Sequence, residues 1–176
     1  MSRFRAVFGV VAAFGLSFAG VIACAPAGAA DTAAAAIATQ PSRVQEPLAV
    51  VTPQGRSILR VEVVDDAAGR QKGLMGRTEL APDAGMLFDY HRPVEATRWM
   101  KNTPLSLDMI FIAEDGRVVR VAEHTEPFSE ALIPSFVEVR AVLEVAAGTS
   151  HHLGIGPGTR IEYPIFAGGS SASVPR

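Results

Sequence analysis

The stretch from Arg70 to Asp108 concentrates the polar and aromatic residues that could contact a ligand. It contains the only tryptophan of the chain, Trp99, followed closely by Lys101 and Asn102. Small-ligand pockets are usually built from apolar or aromatic walls with a few fixed polar groups. We therefore predict a ligand-binding site with Trp99 as a stacking wall. Its polar contacts are expected from Lys101, Asn102 and Asp108.

The alternative for this segment is purely structural. Trp99 would then be a core residue at a strand end, Asn102 a turn residue, and Lys101 and Asp108 a surface ion pair. On a strand, Trp99 and Lys101 share one face. A turn at 102–104 would follow, so both side chains are expected to meet Asp108 across the connection.

Two arginines, Arg70 and Arg77, flank a glycine-bounded Leu-Met pair at 73–76. A planar guanidinium suits carboxylate or phosphate, so the two arginines are predicted to join the ligand site as an anion clamp. The alternative is a helix end with two solvated arginine side chains.

Motifs of known catalytic machinery are missing from the sequence: it has no nucleophile elbow, zinc-protease helix or phosphate loop. We therefore predict a non-enzymatic binding or accessory module. The enzymatic alternative is a hydrolase or transferase acting on envelope carbohydrate or peptide, with Asp108 as acid or base and Lys101 as its electrostatic partner. A third possibility is a structural domain that contacts a partner through a sheet edge.

Soft-metal ligation is a further possibility to weigh. The residues that could ligate Cu(I) are Met75, Met86, Met100, Met109 and His91. Their spacing forms no local ligand motif, and core filling is the ordinary use of methionine. We therefore predict neither a metal nor a cofactor.

The N-terminus has the layout of an export signal. Two arginines precede an apolar run at 7–22, which is shorter than the roughly 20 residues that span a bilayer. Small residues before Asp31 predict a signal peptide over 1–30. A Val-Ile-Ala-Cys lipobox instead predicts removal of 1–23 and lipidation of Cys24. Both routes predict an exported protein, either periplasmic or a membrane-anchored lipoprotein of the cell envelope, with no transmembrane helix in the mature form.

Composition divides the rest of the chain into a flexible tether (31–46), a single β domain (47–166) and a disordered tail (167–176). The domain carries a net charge of about −4, so nucleic-acid binding lacks its main electrostatic contribution. The expected partner is a small polar ligand or an envelope glycan, not a nucleic acid. Cys24 is the only cysteine, so the domain contains no disulfide.

Hydrophobic alternation of period two predicts most of the secondary structure. The predicted strands are 48–52, 57–64, 84–90, 96–100, 107–112, 117–123, 137–145 and 160–165. The Asp pair at 65–66 is predicted to cap a helix through Lys72, with Gly73 in the left-handed stop position. A second helical turn is predicted at 150–153, with Thr149 as its cap. The prediction is a mainly β fold, a compact antiparallel sandwich or partly closed barrel with one or two short helices.

Six short motifs, in order and spacing, resemble the bacterial and archaeal family known as domain of unknown function 192. They are RQKGLMGR (70–77), GMLF (85–88), WMKNT (99–103), LD (107–108), VLE (142–144) and AG (147–148). The resemblance covers about 48–165 and implies a compact, mainly β domain of jelly-roll-like character, often exported. It implies no agreed activity, substrate or cofactor. Two positions depart from the family pattern: Ser106 replaces a usual proline beside the predicted site, and Ala141 replaces an aromatic residue.

Overall fold

The computed structural model describes residues 43–169 of the chain. The predicted signal peptide, Cys24, the tether before residue 43 and the tail beyond residue 169 lie outside the described residues. Within the described part, no helix combines the length and apolar character needed to cross a bilayer.

The described part contains seven strands, two short α-helices and one 3-10 helix. In chain order they are β1 (Gln45–Thr52), β2 (Gly55–Val64), α1 (Ala67–Lys72), β3 (Ala84–Arg98), β4 (Leu107–Ile112), β5 (Val118–Ala122), β6 (Ile133–Ala146), α2 (Thr149–Leu153), β7 (Arg160–Glu162) and the 3-10 helix Pro164–Gly169.

All seven strands form one sheet in the order β5-β4-β6-β3-β2-β1-β7. A bridge between Arg117 and Arg160 links the two ends of this order, so the sheet nearly closes into a barrel. The predicted mainly β, partly closed fold is confirmed. One pair departs from the antiparallel pattern: β2 and β3 are parallel, because α1 and the segment after it return the chain to the same end of the sheet.

Two hydrophobic cores lie on opposite faces of the sheet. The inner core receives side chains from all seven strands, as expected of a barrel interior, and includes Leu87 and Ile110. The outer core covers the other face of β3, β4 and β6, and includes Phe88, Met100 and Met109. Alternation along each strand assigns successive residues to different cores.

Strand β3 differs most from the prediction. It is one strand of 15 residues instead of two short ones, and its pairing with β6 shifts register between Asp89 and Val94 and again between Glu95 and Thr97. Such bulges interrupt the alternation of polar and apolar residues, and for this reason the middle of the strand was predicted to be a loop. The strand also ends at Arg98, so the Trp99 segment leaves the sheet.

Three predicted element ends also need correction. Gly148, with φ 86°, is the residue before α2, and Thr149 is the first residue of that helix. Gly73 does stop α1, but with φ 46° and ψ −132° instead of the left-handed helical conformation. The positive φ of Gly73, and a Cβ that would lie 3.1 Å from Arg98 Nη2, both favour glycine at this position. Strand β7 stops at Glu162, since Pro164 begins a 3-10 helix.

Candidate functional site

A surface depression of ≈ 390 Å³ lies between α1 and the turn that follows β3. We call it the Trp99 depression. One wall consists of Ala68, Gln71, Lys72 and Met75, and the other of Trp99, Lys101 and Asn102. The structure therefore brings together three of the predicted ligand-binding residues on one concave surface.

The α1 wall follows from helical geometry. Residues 68, 71 and 72 have the i, i+3, i+4 spacing that places side chains on one face of α1, and Met75 follows in the turn after the helix. Asp66 begins the helix, because its Oδ1 accepts the backbone N–H of Gly69 at 2.7 Å. That hydrogen bond, together with the side chain of Arg43, lowers the pKa of Asp66 below its ordinary value.

The second wall is fixed by the turn after β3. Met100 is buried in the outer core and anchors the turn from below. Asn102 adopts φ 55°, a left-handed conformation that asparagine tolerates better than most residues. Its carbonyl oxygen accepts the backbone N–H of Gly76 at 2.9 Å, which ties the two walls together.

Trp99 and Lys101 form the polar and aromatic part of the depression. Trp99 is 36% exposed, and Lys101 Nζ lies 5.2 Å from the centroid of its ring. The same Nζ lies 3.4 Å from Glu130 Oε1. The ionic partner of Lys101 is therefore Glu130, and the expected pair with Asp108 is not formed.

Asp108 lies away from the Trp99 depression and is 0% exposed. Its Oδ1 accepts the backbone N–H of His124 and its Oδ2 that of Ser150, each at 2.9 Å. The cause is strand parity: Leu107 and Met109 face the outer core beneath the Trp99 turn, so Asp108 between them faces the opposite side.

The neighbours of Asp108 also do not form a catalytic triad. A triad needs a carboxylate on the histidine ring and a histidine on the serine hydroxyl. Here the carboxylate binds the backbone of both His124 and Ser150, so it links the segment after β5 to the first turn of α2.

Asp108→Asn is therefore expected to lower the free energy of unfolding by about 2–3 kcal/mol. The reason is that the NH2 group of the new amide is itself a donor and would be placed against one of the two backbone N–H donors. Urea unfolding followed by circular dichroism measures this change. Asp83→Asn is the matched control, since Asp83 forms an exposed pair with Arg60 and should cost less than about 1 kcal/mol. Equal stability of the Asp108→Asn variant and the unmodified protein would contradict the structural role.

The two arginines predicted as an anion clamp do not line the Trp99 depression. Arg77 donates to both oxygens of Glu62, at 2.6 Å and 2.5 Å. Arg70 donates to the carbonyl oxygens of Asp65 and Asp89 at 2.7 Å and 3.0 Å. Each side chain therefore binds groups of its own fold instead of lining the depression.

A buried ion pair that the sequence analysis missed lies beneath the Trp99 depression. Arg98 donates to Glu144 Oε1 from Nε at 3.0 Å and from Nη2 at 2.8 Å. Its Nη1 donates to the carbonyl oxygen of Arg70 at 2.9 Å. Burial is the largest single influence and lowers the pKa of Arg98, but the charges and hydrogen bonds of Glu144 and Tyr90 together outweigh it, so the pKa lies above its ordinary value. The pair thus holds the residue that immediately precedes Trp99.

A signal for this pair was present in the sequence. Glu144 lies between Leu143 and Val145 in the apolar run of β6, where a charged residue needs a buried partner. The crevice that connects the pair to the depression measures only ≈ 10 Å³. It is too small for a ligand, so Arg98 and Glu144 act as support for the site.

A second depression, of ≈ 470 Å³, lies between the start of β2 and α2. Its wall is mainly apolar, with Ile58, Pro82 and Leu153, and it includes His152. The sequence analysis did not predict it.

The methionines considered as Cu(I) ligands are distributed between core and surface. Met86, Met100 and Met109 are buried in the outer core, whereas the side chain of His91 is mostly exposed. Among residues 43–169, no group of three or more His, Cys, Asp or Glu side chains is placed to hold a metal ion.

Comparison with known proteins gives a family and two similar crystal structures. One structure is of a Sinorhizobium meliloti 1021 protein provisionally described as a transcription regulator; it is 43% identical, with a TM-score of 0.69 over 72% of this chain and 98% of that chain. The other is of a protein of unknown function from Novosphingobium aromaticivorans DSM 12444; it is 38% identical, with a TM-score of 0.67 over 73% and 96% of the two chains. A search of curated proteins gave no match.

The family comparison covers nearly the whole β domain and both walls of the Trp99 depression. The model of DUF192, described as "Uncharacterized ACR", matches residues 49–163. This agrees with the ordered motifs of the sequence. The chain belongs to the DUF192 family.

Proposed function

We propose that the domain is a non-enzymatic binding module whose Trp99 depression holds a small polar ligand or a glycan. The observation that carries this proposal is the placement of the only indole of the chain beside two ammonium groups and two amide groups, around one open depression. An aromatic wall with a few polar groups is the usual composition of a small-ligand site.

The wall of the depression favours binding over catalysis. None of its residues in the described part of the chain is a carboxylate or a histidine, the usual general acids and bases. The enzymatic alternative relied on Asp108, whose two oxygens are occupied by backbone donors. The domain is net acidic, which disfavours DNA binding even though the similar Sinorhizobium protein is provisionally described as a transcription regulator.

Trp99→Ala is expected to weaken ligand binding by about tenfold, because the stacking wall is lost. Glucose, N-acetylglucosamine and glucuronate serve as probes in calorimetric titration, and the fluorescence of Trp99 reports binding directly in the unmodified protein. His152→Ala, in the second depression, is the matched control and should bind as the unmodified protein does. Binding that survives Trp99→Ala but is lost in His152→Ala would place the site in the other depression.

We also propose that the chain is exported and that Cys24 carries a lipid anchor. The charged and apolar N-terminal pattern and the lipobox support this proposal. Labelling cells with a radioactive fatty acid should label the unmodified chain and leave Cys24→Ser unlabelled. An unlabelled native chain whose mature form begins at Asp31 would instead establish simple secretion.

A further inference from the structure

We infer that the ligand of the Trp99 depression is an anion, whose carboxylate or phosphate group takes the place of the Glu130 carboxylate at Lys101. This inference rests on the proposed function and names the chemical class of ligand for the same site. Three observations support it: the charge of the depression wall, the position of Glu130, and the position of Lys101 over the indole.

The charge of the wall differs in sign from that of the whole domain. Lys72 and Lys101 both line the depression, and its described lining contains no acidic residue. Lys72 forms no ion pair with any residue of the described range 43–169. A domain with a net charge of about −4 thus has a concave surface that attracts anions, and two ammonium groups are available to a single ligand.

Glu130 occupies the position at Lys101 that a ligand anion would take. The loop that carries it is bonded to the Trp99 turn: Met100 donates its backbone N–H to Ser129 at 2.9 Å, and Phe128 donates to Thr103 at 3.0 Å. These bonds hold Glu130 Oε1 at 3.4 Å from Lys101 Nζ. Both side chains are partly exposed, at 40% for Lys101 and 64% for Glu130. Such pairs are weak, so a ligand anion can replace the Glu130 carboxylate at little cost.

The indole adds a second requirement for the ligand. Because Lys101 Nζ lies 5.2 Å from the ring centroid of Trp99, one small molecule can contact both groups. Such a molecule has a ring with an apolar face and an anionic substituent, as in a uronic acid or a sugar phosphate. The volume of ≈ 390 Å³ lies within the range of small-ligand pockets, roughly 300–1,000 Å³.

Calorimetric titration of the purified full chain with four probes tests the inference. The probes are glucuronate, glucose 6-phosphate, glucose and inorganic phosphate. Glucuronate and glucose 6-phosphate are expected to bind about tenfold more tightly than glucose, and added salt should reduce this difference. Weaker binding of inorganic phosphate than of the sugar phosphate would support the contribution of the ring. Equal binding of the two phosphates would overturn that part of the inference.

Three substitutions identify the groups involved. Lys72→Met and Lys101→Met should each weaken glucuronate binding about threefold or more, with little effect on glucose. Glu130→Gln should strengthen glucuronate binding about threefold, because the competing carboxylate is removed. Glu126→Gln is the matched control, an exposed glutamate of the same loop outside the depression wall, and should change neither affinity.

The outcomes separate this inference from the proposed function. If glucose binds as tightly as the anions and Trp99→Ala weakens all of them, the binding module stands and the anionic class is overturned. If the anions bind but Trp99→Ala and Lys101→Met leave their affinity unchanged, the site is elsewhere. Both the anionic ligand and the proposed function of the Trp99 depression are then overturned. No measurable binding of either sugar anion also overturns the anionic class, and unchanged binding in Glu130→Gln overturns the exchange at Lys101.

Discussion

Glu144→Gln is expected to lower the free energy of unfolding by about 3–5 kcal/mol. The substitution leaves the guanidinium of Arg98 buried next to Phe88, 3.9 Å from the ring centroid, without its counter-charge. An unpaired buried charge costs more than the pair itself contributes, so the loss exceeds that of an ordinary hydrogen bond. Urea unfolding at neutral pH measures the change.

Two further variants test the cause of this loss. Glu138→Gln changes an exposed glutamate on the same strand and should cost less than about 0.5 kcal/mol. The double variant Arg98→Met with Glu144→Leu removes both charges and should recover most of the stability. A loss below about 1 kcal/mol in Glu144→Gln, or no recovery in the double variant, would show that charge burial is not the cause.

Arg77→Ala is expected to cost about 3–5 kcal/mol for the complementary reason. Glu62 is only 2% exposed, and both of its oxygens accept from Arg77. Removing the guanidinium leaves a buried carboxylate with neither its counter-charge nor its two strong donors. Thermal and urea unfolding both measure the effect.

Arg60→Ala provides the comparison for Arg77. Arg60 lies on the same strand as Glu62 and pairs with Asp83, but both side chains are more than half exposed. Its loss should cost at most about 1 kcal/mol. Similar losses in Arg60→Ala and Arg77→Ala would contradict the account of Arg77 as a buried support, and would reopen its role as a free anion clamp.

The local alternation of polar and apolar residues predicted the parts of the fold that depend on residues close together in the sequence. The strand at 107–112 matches β4, and the predicted strands at 48–52 and 57–64 lie within β1 and β2, which pair with each other. The parallel pairing of β2 with β3 and the bulges of β3 were not predicted. They depend on contacts between residues far apart in the sequence, and the alternation of polar and apolar residues along one strand carries no information about such contacts.

The candidate site was predicted in part. Trp99, Lys101 and Asn102 do lie together, because consecutive residues of one turn must remain close. Asp108 lies away from these three because Leu107 of β4 faces the outer core, so the next residue of the strand faces the opposite side. The helical spacing of residues 68, 71 and 72 would have identified most of the missing wall.

The arginines were misassigned for a different reason. The partners of Arg77 and Arg98 are Glu62 and Glu144, on strands far away in sequence. The sequence alone does not show which residues are in contact. It therefore cannot distinguish an arginine that is free to bind a ligand from one that neutralises a buried glutamate. In this domain both arginines pair with buried glutamates, whereas Lys72 and Lys101 line the Trp99 depression.

A crystal of the protein soaked with glucuronate tests the central claim most directly. The account predicts the sugar against Trp99, with its carboxylate within hydrogen-bonding distance of Lys101 Nζ and with Glu130 displaced. Glucuronate bound in the depression lined by Ile58 and His152, with the Trp99 depression empty in the same crystal, would contradict it.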